Sequence, residues 1–504
     1  MTNRETFTRA ITSSVTWGIA GKMIGILKHA VIAGAIGLSA QLDSFYAATS
    51  ILAVFVFLMA GMFDVLGVPK LIELNNRGDL NSFNRLARSL FTSSLVVGVL
   101  SFAFIVTFRE NLTFLAIGFE PARRNILIDG LLYIAPLALV FSPLRQLAAI
   151  HRAQGHFSIY YQTEFIVTLT WFLAIVFFRD VNMVLFFAWP IGVAAGLMFI
   201  IIRSPFILAL IGNPLVPEAR EVLVKAPALA LLQGLFALHI AVDHFFASYL
   251  PVGSLGSLSL AMVIITALVG VLRLDTSYIA VFGQEMHAGE RNRSANKLIG
   301  FSLLMGIPYL ITLVFMGDVI VRILFERGVF SSSDRGQTSL VLAAYGPAVL
   351  AMILLPPIEA IYQVTGKMVF ILLRAVFGLL LNVIFCYVFL FIYNLGNFGI
   401  ALATTISMSG TLIFGLLGLK HIKINVDWRC HLKSSGIVLV TSFTIALFFR
   451  SITQDLSGFF FNIVIFSAYC CTLLLAILFL PVGEAGIIRS RLRTKLASLI
   501  KQCS

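Results

Sequence analysis

The stretch GKMIGILKHAVIAG places Lys22 and Lys28 in an otherwise apolar run, with His29 beside the second lysine. Two cations there make a positive site that suits an anion such as a diphosphate. Six residues of helix turn through about 600°, so the lysines stand ~120° from a common face. Both can still line one broad cavity wall. A charge at mid-bilayer costs at least ~2.5–3.5 kcal/mol on insertion scales, so such groups face a cavity or a partner. The alternative for Lys28 is that its long stem carries the ammonium to an interface. His239 and Asp243 are four residues apart and share a helical face. They read as a cation or proton site, or equally as a structural hydrogen bond. In VLRLDTSY, Arg273 and Asp275 are two apart and point to nearly opposite faces, so they do not pair with each other. Glu359 follows Pro356-Pro357, where a broken helix would free carbonyls for a ligand or ion and a mere kink is the plainer reading. Asp64, Glu164 and Arg374 stand in further apolar runs.

No GxxxxGK[ST] loop, HExxH pair or nucleophile elbow occurs in the sequence, so nothing speaks for an enzyme or for ATP hydrolysis. No cofactor or metal is expected. The energy source is then an ion gradient, the membrane potential or the substrate gradient.

The elements that position these residues follow from composition. Of 504 residues, 59% are hydrophobic and 12% charged, against about 25% charged in soluble domains. The apolar runs are continuous and about as long as the ~20 residues a helix needs to cross the hydrocarbon. A barrel would show short segments of alternating polarity instead. The expected fold is an all-α polytopic membrane protein with about fourteen spans: 12–37, 44–67, 87–108, 126–149, 158–178, 182–202, 226–250, 254–282, 298–317, 338–363, 368–391, 396–419, 434–449 and 457–481.

The net charge of +13 would suit nucleic acid, but its distribution points to a membrane. With both termini cytoplasmic, the cytoplasmic segments hold 24 Lys and Arg and the opposite side holds 8, as the positive-inside rule requires. A miscounted helix would scramble that alternation. The five cysteines show no metal spacing and read as packing residues in a reducing or membrane setting. The polar N-terminus runs into a long span, which reads as a retained first helix rather than a signal peptide. The tail IIRSRLRTKLASLIKQ sorts apolar from basic residues roughly by face, as does a helix lying in the inner interface near anionic lipid.

An internal repeat organises the spans. DSFYAA (43–48) is echoed by DHFFAS (243–248). The connectors 69–90 and 282–303 share a charged, Gly-containing middle and end in Asn–basic–Leu. The offset equals six spans, an even number, so the repeats are parallel and related by an axis along the membrane normal. The expected organisation is an N-lobe at 1–203, a linker at 204–225, a C-lobe at 226–425, spans 13 and 14 at 426–483, and a basic amphipathic tail at 484–504. Two such bundles around a cleft suit alternating access.

GKMIGILKHAVIAGAIGLSAQLDSFYAA resembles the N-terminal signature of the MurJ/MviN lipid II flippases, members of the MATE-like exporter superfamily. LFERGVFSSSD (324–334) and the following AAYGPAVLAMILLPPIEAIYQVTGK resemble their ninth-to-tenth span segment. The resemblance covers most of the chain. It implies a central cationic cavity, export of an undecaprenyl-diphosphate-linked sugar from the inner to the outer leaflet, and a lipid-tail groove at spans 13 and 14. It places Lys22 and Lys28 where the family carries cavity arginines, matches Asp43 to a family aspartate, and sets Asp243 at a position resembling a sodium ligand in some members.

The second-span arginine has no counterpart in SILAVFVFLMAG, and the eighth-span arginine position falls near the uncharged Val263. Arginine forks phosphate oxygens, whereas lysine is a point charge, so the cavity is retuned. An exopolysaccharide or O-antigen unit fits at least as well as lipid II. The expected substrate-binding residues are Lys22, Lys28, Asp43 and Arg273. Those for Na+ or H+ coupling are His239, Asp243 and Glu359. Expected partners are the lipid-linked saccharide, membrane lipids and polysaccharide-synthesis enzymes, for a monomer in the bacterial inner membrane. The competing readings are a multidrug or organic-cation antiporter and a non-transporting scaffold for polysaccharide synthesis.

Overall fold

The computed structural model describes residues 7–53, 58–178, 181–204, 211–220, 235, 238–272, 288–455, 458–486 and 489–490. No strand occurs among them. The helices are α1 (Phe7–Ile36), α2 (Ala40–Leu52), α3 (Leu58–Asn76), α4 (Leu80–Leu112), α5 (Pro121–Ile134), α6 (Pro136–Ala153), α7 (Phe157–Phe177) and α8 (Val181–Ile202). After the linker come α9 (238–247), α10 (Ser254–Leu272), α11 (Ala288–Phe325), α12 (Ser332–Tyr345), α13 (Ala348–Val364), α14 (Met368–Tyr387), α15 (Gly396–Leu419), α16 (Trp428–Asp455) and α17 (Phe459–Phe479).

Among the described residues nine helices are long and apolar enough to cross a bilayer, or eleven when each of two bent pairs is one span. The other expected spans coincide with α2 and α3, with α9, and with α10. The stretch joining α2 to α3, nearly all of the first half of the seventh expected span and the end of the eighth lie outside the described residues. Large apolar side chains such as Phe460 (81% exposed), Phe177 (76%) and Ile202 (75%) stand outward. Lipid, not water, is the solvent in which that surface is stable.

Local chemistry sets the helix ends. The Ser39 hydroxyl accepts from Leu42 N–H at 3.3 Å and caps α2, and Asp79 caps α4 by accepting from Ser82 N–H at 3.0 Å. The α5–α6 pair bends by 43° where Ala135 meets Pro136, and α12–α13 by 44° beside Gly346 and Pro347. Each proline removes a backbone donor. The break expected at Pro356-Pro357 is absent: α13 runs through both prolines to Val364. Proline fixes φ near a helical value, and the bend sits instead at the Gly346-Pro347 step, about two and a half turns before them.

Packing divides the chain into two compact units, residues 1–267 with 327–334, and residues 268–326 with 335–504. In the first unit α7 packs on both α1 and α8, and α6 on α3, α4 and α8. The linker segment 211–220 is tied to α4. Gly212 N–H donates to Thr92 Oγ1 at 3.0 Å, Ser89 donates to the Pro214 carbonyl at 2.5 Å, and Arg85 pairs with Glu218 at 2.6 Å. The Arg85 hydrogen bond holds the Glu218 carboxyl below its usual range. In the second unit α11 packs against α13, α16 and α17. There Met316, Ala446, Phe449 and Tyr469 form an apolar cluster, and the Thr312 and Tyr469 hydroxyls meet at 2.7 Å.

Candidate functional site

Lys28 sits on α1, eight residues before its end, or about 12 Å along the axis. It is 4% exposed, and its ammonium lies over the Trp171 ring, 3.0 Å from the centroid. A cation over an indole face is held by the ring quadrupole, worth about 2 kcal/mol or more when water is excluded. Trp171 in turn stacks on Trp189 with centroids 5.1 Å apart and meets the edge of Phe45 at 6.2 Å. Next to Lys28, His29 shares a 3.1 Å hydrogen bond with the Tyr46 hydroxyl. Among the described residues no carboxylate pairs with Lys28. Lys22, one and a half turns earlier, is exposed.

Asp43 stands in the first turn of α2 and is 0% exposed. Oδ2 accepts from Arg123 Nη1 at 3.0 Å and from Gly253 N–H at 2.8 Å. Oδ1 accepts from Gly256 N–H at 2.7 Å. Gly253 and Gly256 belong to the start of α10, where the first backbone N–H groups have no intrahelical acceptor. The carboxylate therefore caps α10 from another helix and meets its positive dipole end. Arg123 is 4% exposed. Its second amino group donates to the Leu250 carbonyl at 3.0 Å, its guanidinium lies 4.4 Å over the Phe119 ring, and its own carbonyl accepts from the Ser44 hydroxyl at 3.1 Å.

The turn around Gly253 requires glycine. Its φ is +90°, and a Cβ there would stand 2.8 Å from the Leu38 Cβ. Close by in the same unit, Gly118 N–H donates to the Ser248 hydroxyl at 3.1 Å. The LFERGVF segment joins this unit too: Val329 N–H donates to the Gly34 carbonyl at 2.8 Å, and Gly328, with φ +59°, leaves no room for a Cβ against that carbonyl. The loops after the first, third, seventh and ninth expected spans thus converge at one end of this unit. All follow odd-numbered spans, so they lie on one side of the membrane.

The remaining expected site residues are dispersed. His239 and Asp243 are buried on α9 at 7% and 8% exposure, and the neighbouring His244 shares a 3.3 Å hydrogen bond with the Ser259 hydroxyl. Glu359 is ion-paired with Arg374, which is 1% exposed in the second unit. Arg273 and Asp275 lie outside the described residues, as do nearly all of the C-terminal tail and the connector half at 282–287. Glu164 pairs with Arg145 at 3.3 Å. Among the described residues no group of three or more His, Cys, Asp and Glu could hold a metal ion.

Sequence reasoning missed Arg123, which it counted only as a loop charge, and Trp171, one aromatic in an aromatic-rich span. No local signal marks either. The turn PVGSLG (251–256) carries two glycines in sequence, but nothing there tells what its N–H groups bind.

The family model described as "Lipid II flippase MurJ" matches residues 32–467. This chain belongs to the MurJ family. It is 25% identical over 408 residues to the probable lipid II flippase MurJ of Aquifex aeolicus (strain VF5), covering 79% of this chain and 80% of that one. It is 21% identical over 369 residues to the corresponding protein of Rhizobium tropici, with 68% of each covered. Among solved structures, the lipid II flippase MurJ in an inward closed conformation superposes with a TM-score of 0.77 at 17% identity, over 95% of this chain and 99% of that one. An inward-facing multidrug resistance MATE transporter of the MOP superfamily gives 0.64 at 14% identity, over 80% and 94%. At such identities the likeness concerns the fold, and the MurJ match spans more of both chains than the MATE match.

Proposed function

We infer that this protein is a flippase that carries a polyprenyl-diphosphate-linked saccharide from the inner to the outer leaflet of the bacterial inner membrane by alternating access. It is a carrier, not an enzyme. The observation that bears the reading is Lys28, a cation buried on the first helix, just ahead of the stretch 32–467 that matches the family, and one that no carboxylate neutralises among the described residues. A diphosphate supplies the missing negative charge. Lys22 adds a second positive group on the same helix and serves as an entry-side contact.

The 24-to-8 bias of Lys and Arg supports both termini in the cytoplasm. The Asp43–Arg123 latch then lies toward the outer leaflet, and its sealed geometry fits a substrate site that opens inward. His239 and Asp243, buried together on α9, are candidates for Na+ or H+ coupling, as is Glu359, which would first have to leave Arg374. Lysine in place of forked arginine fits a glycan carrier whose diphosphate is held by point charge, lipid II or an exopolysaccharide or O-antigen-type unit. An antiporter for cationic drugs is disfavoured by repulsion from Lys22 and Lys28, and a scaffold leaves the cost of burying Lys28 unexplained.

The test is depletion of the protein in its host with analysis of accumulated lipid-linked intermediates, complemented by Lys22→Ala/Lys28→Ala. The double variant should insert at wild-type level and lose at least tenfold in export. Normal surface glycan from that variant sinks the assignment of both lysines.

A further inference from the structure

Two hydrogen-bond donors without an acceptor lie together in the first unit. One is the Lys28 ammonium, 3.0 Å over the Trp171 ring. The other belongs to that same Trp171: its indole N–H is buried with no acceptor among the described residues, in a side chain only 8% exposed. Buried polar groups are normally paired, and an unpaired donor in a dry setting is costly. The neighbours do not resolve this. The His29 ring and Tyr46 hydroxyl satisfy each other, and Glu164, two turns earlier on α7, is paired with Arg145. Donors exceed acceptors here, one of them is a cation, and an oxyanion would satisfy both.

We propose that Trp171 is a phosphate-binding and positioning residue, whose π-face seats the Lys28 ammonium while the site is empty and whose indole N–H donates to a phosphate oxygen of the diphosphate when it arrives. The proposal rests on the reading that Lys28 meets the diphosphate. The ring holds the ammonium in a defined rotamer without neutralising it. An aromatic face attracts a cation more weakly than a phosphate does, so the ammonium exchanges the ring for the ligand. A carboxylate at the same place would lock the lysine and repel the ligand. The indole then adds direction, which a single point charge lacks, and so takes part of the role of a forked arginine.

The experiment uses full-length protein in lipid nanodiscs, labelled with 5-fluorotryptophan, and farnesyl diphosphate as the probe with farnesol as the control. The four tryptophans give four 19F resonances, assigned with single Phe variants. The Trp171 resonance should move saturably with farnesyl diphosphate and not with farnesol. Trp171→Phe keeps an aromatic face but removes the donor, and should weaken farnesyl diphosphate binding about tenfold, the loss of one charge-assisted hydrogen bond. Trp17→Phe should leave it unchanged. Should Trp171→Phe fail to fold, assignment of the other three resonances still identifies that of Trp171 in the wild-type protein. Bound farnesyl diphosphate with an unmoved Trp171 resonance overturns the role of Trp171 and leaves that of Lys28 standing. Wild-type affinity in Lys28→Met overturns the reading beneath it. A wild-type protein that binds farnesyl diphosphate no better than farnesol overturns both.

Discussion

At the scale of single residues, one buried cation faces a ring and another faces a carboxylate, and the two arrangements behave differently. Lys28 over Trp171 keeps its charge available. Arg123 against Asp43 spends its charge on structure. Removing one member of a buried pair leaves the other uncompensated and costs about 3–5 kcal/mol. Asp43→Asn and Arg123→Gln should therefore each lower the thermal unfolding midpoint of the detergent-solubilised protein markedly. The double variant should lose clearly less than the sum, since neither orphan charge remains. Strict additivity in that cycle would show that the pair does not act as a unit. Neither partner was legible as half of a pair, because nothing in a sequence ties residue 43 to residue 123. The carboxylate needed the fold to bring it a guanidinium and a helix start.

At the scale of elements, the end of the unit where α2, α5 and α10 meet depends on backbone shape. Gly253 carries φ +90° and abuts Leu38, and Gly328 carries φ +59° and abuts the Gly34 carbonyl. Gly78 also has a positive φ, +73°, but nothing stands within 4 Å of the position a Cβ would take. Ala at Gly253 or Gly328 meets strain and collision together, so each should cost about 1–3 kcal/mol of stability and reduce flipping. Gly78→Ala meets the backbone strain alone and should cost less by the same unfolding measurement. Equal losses at all three positions would mean that close approach contributes nothing. The α2–α5–α10 junction also explains why packing groups residues 238–267 with the first unit although the repeat would start a second lobe near residue 226. Asp43 and Arg123 bind the turn and first N–H groups of α10, and a repeat in sequence carries no record of such a bond.

At the scale of the molecule, the span count and the side of each loop are one claim. In a cysteine-free background, Lys367→Cys, after the tenth expected span, should react with an impermeant thiol reagent only from the cytoplasmic side. Asn394→Cys, after the eleventh, should react only from outside. Labelling of both from one face would break the alternation that the 24-to-8 charge bias implies. The convergence of four loops after odd-numbered spans at one end of the first unit agrees with that alternation through contacts alone.

The sequence by itself determined what one-dimensional signals can carry. Hydrophobic length gave the helices, because lipid forces every span to satisfy its own backbone. Loop charge supplied their alternation, and the segments resembling MurJ supplied the family. It also marked Lys28 as out of place in an apolar run. Only the tertiary structure decided what that lysine meets. A cation's role depends on whether an acid, a ring or open space lies within a few ångströms, and those neighbours come from α7, more than a hundred residues away. The same reason separates Asp43 from Asp243, alike in the repeat: one caps a distant helix beside an arginine, while the other lies inside α9. Periodicity placed both on helices, and packing alone gave them different work.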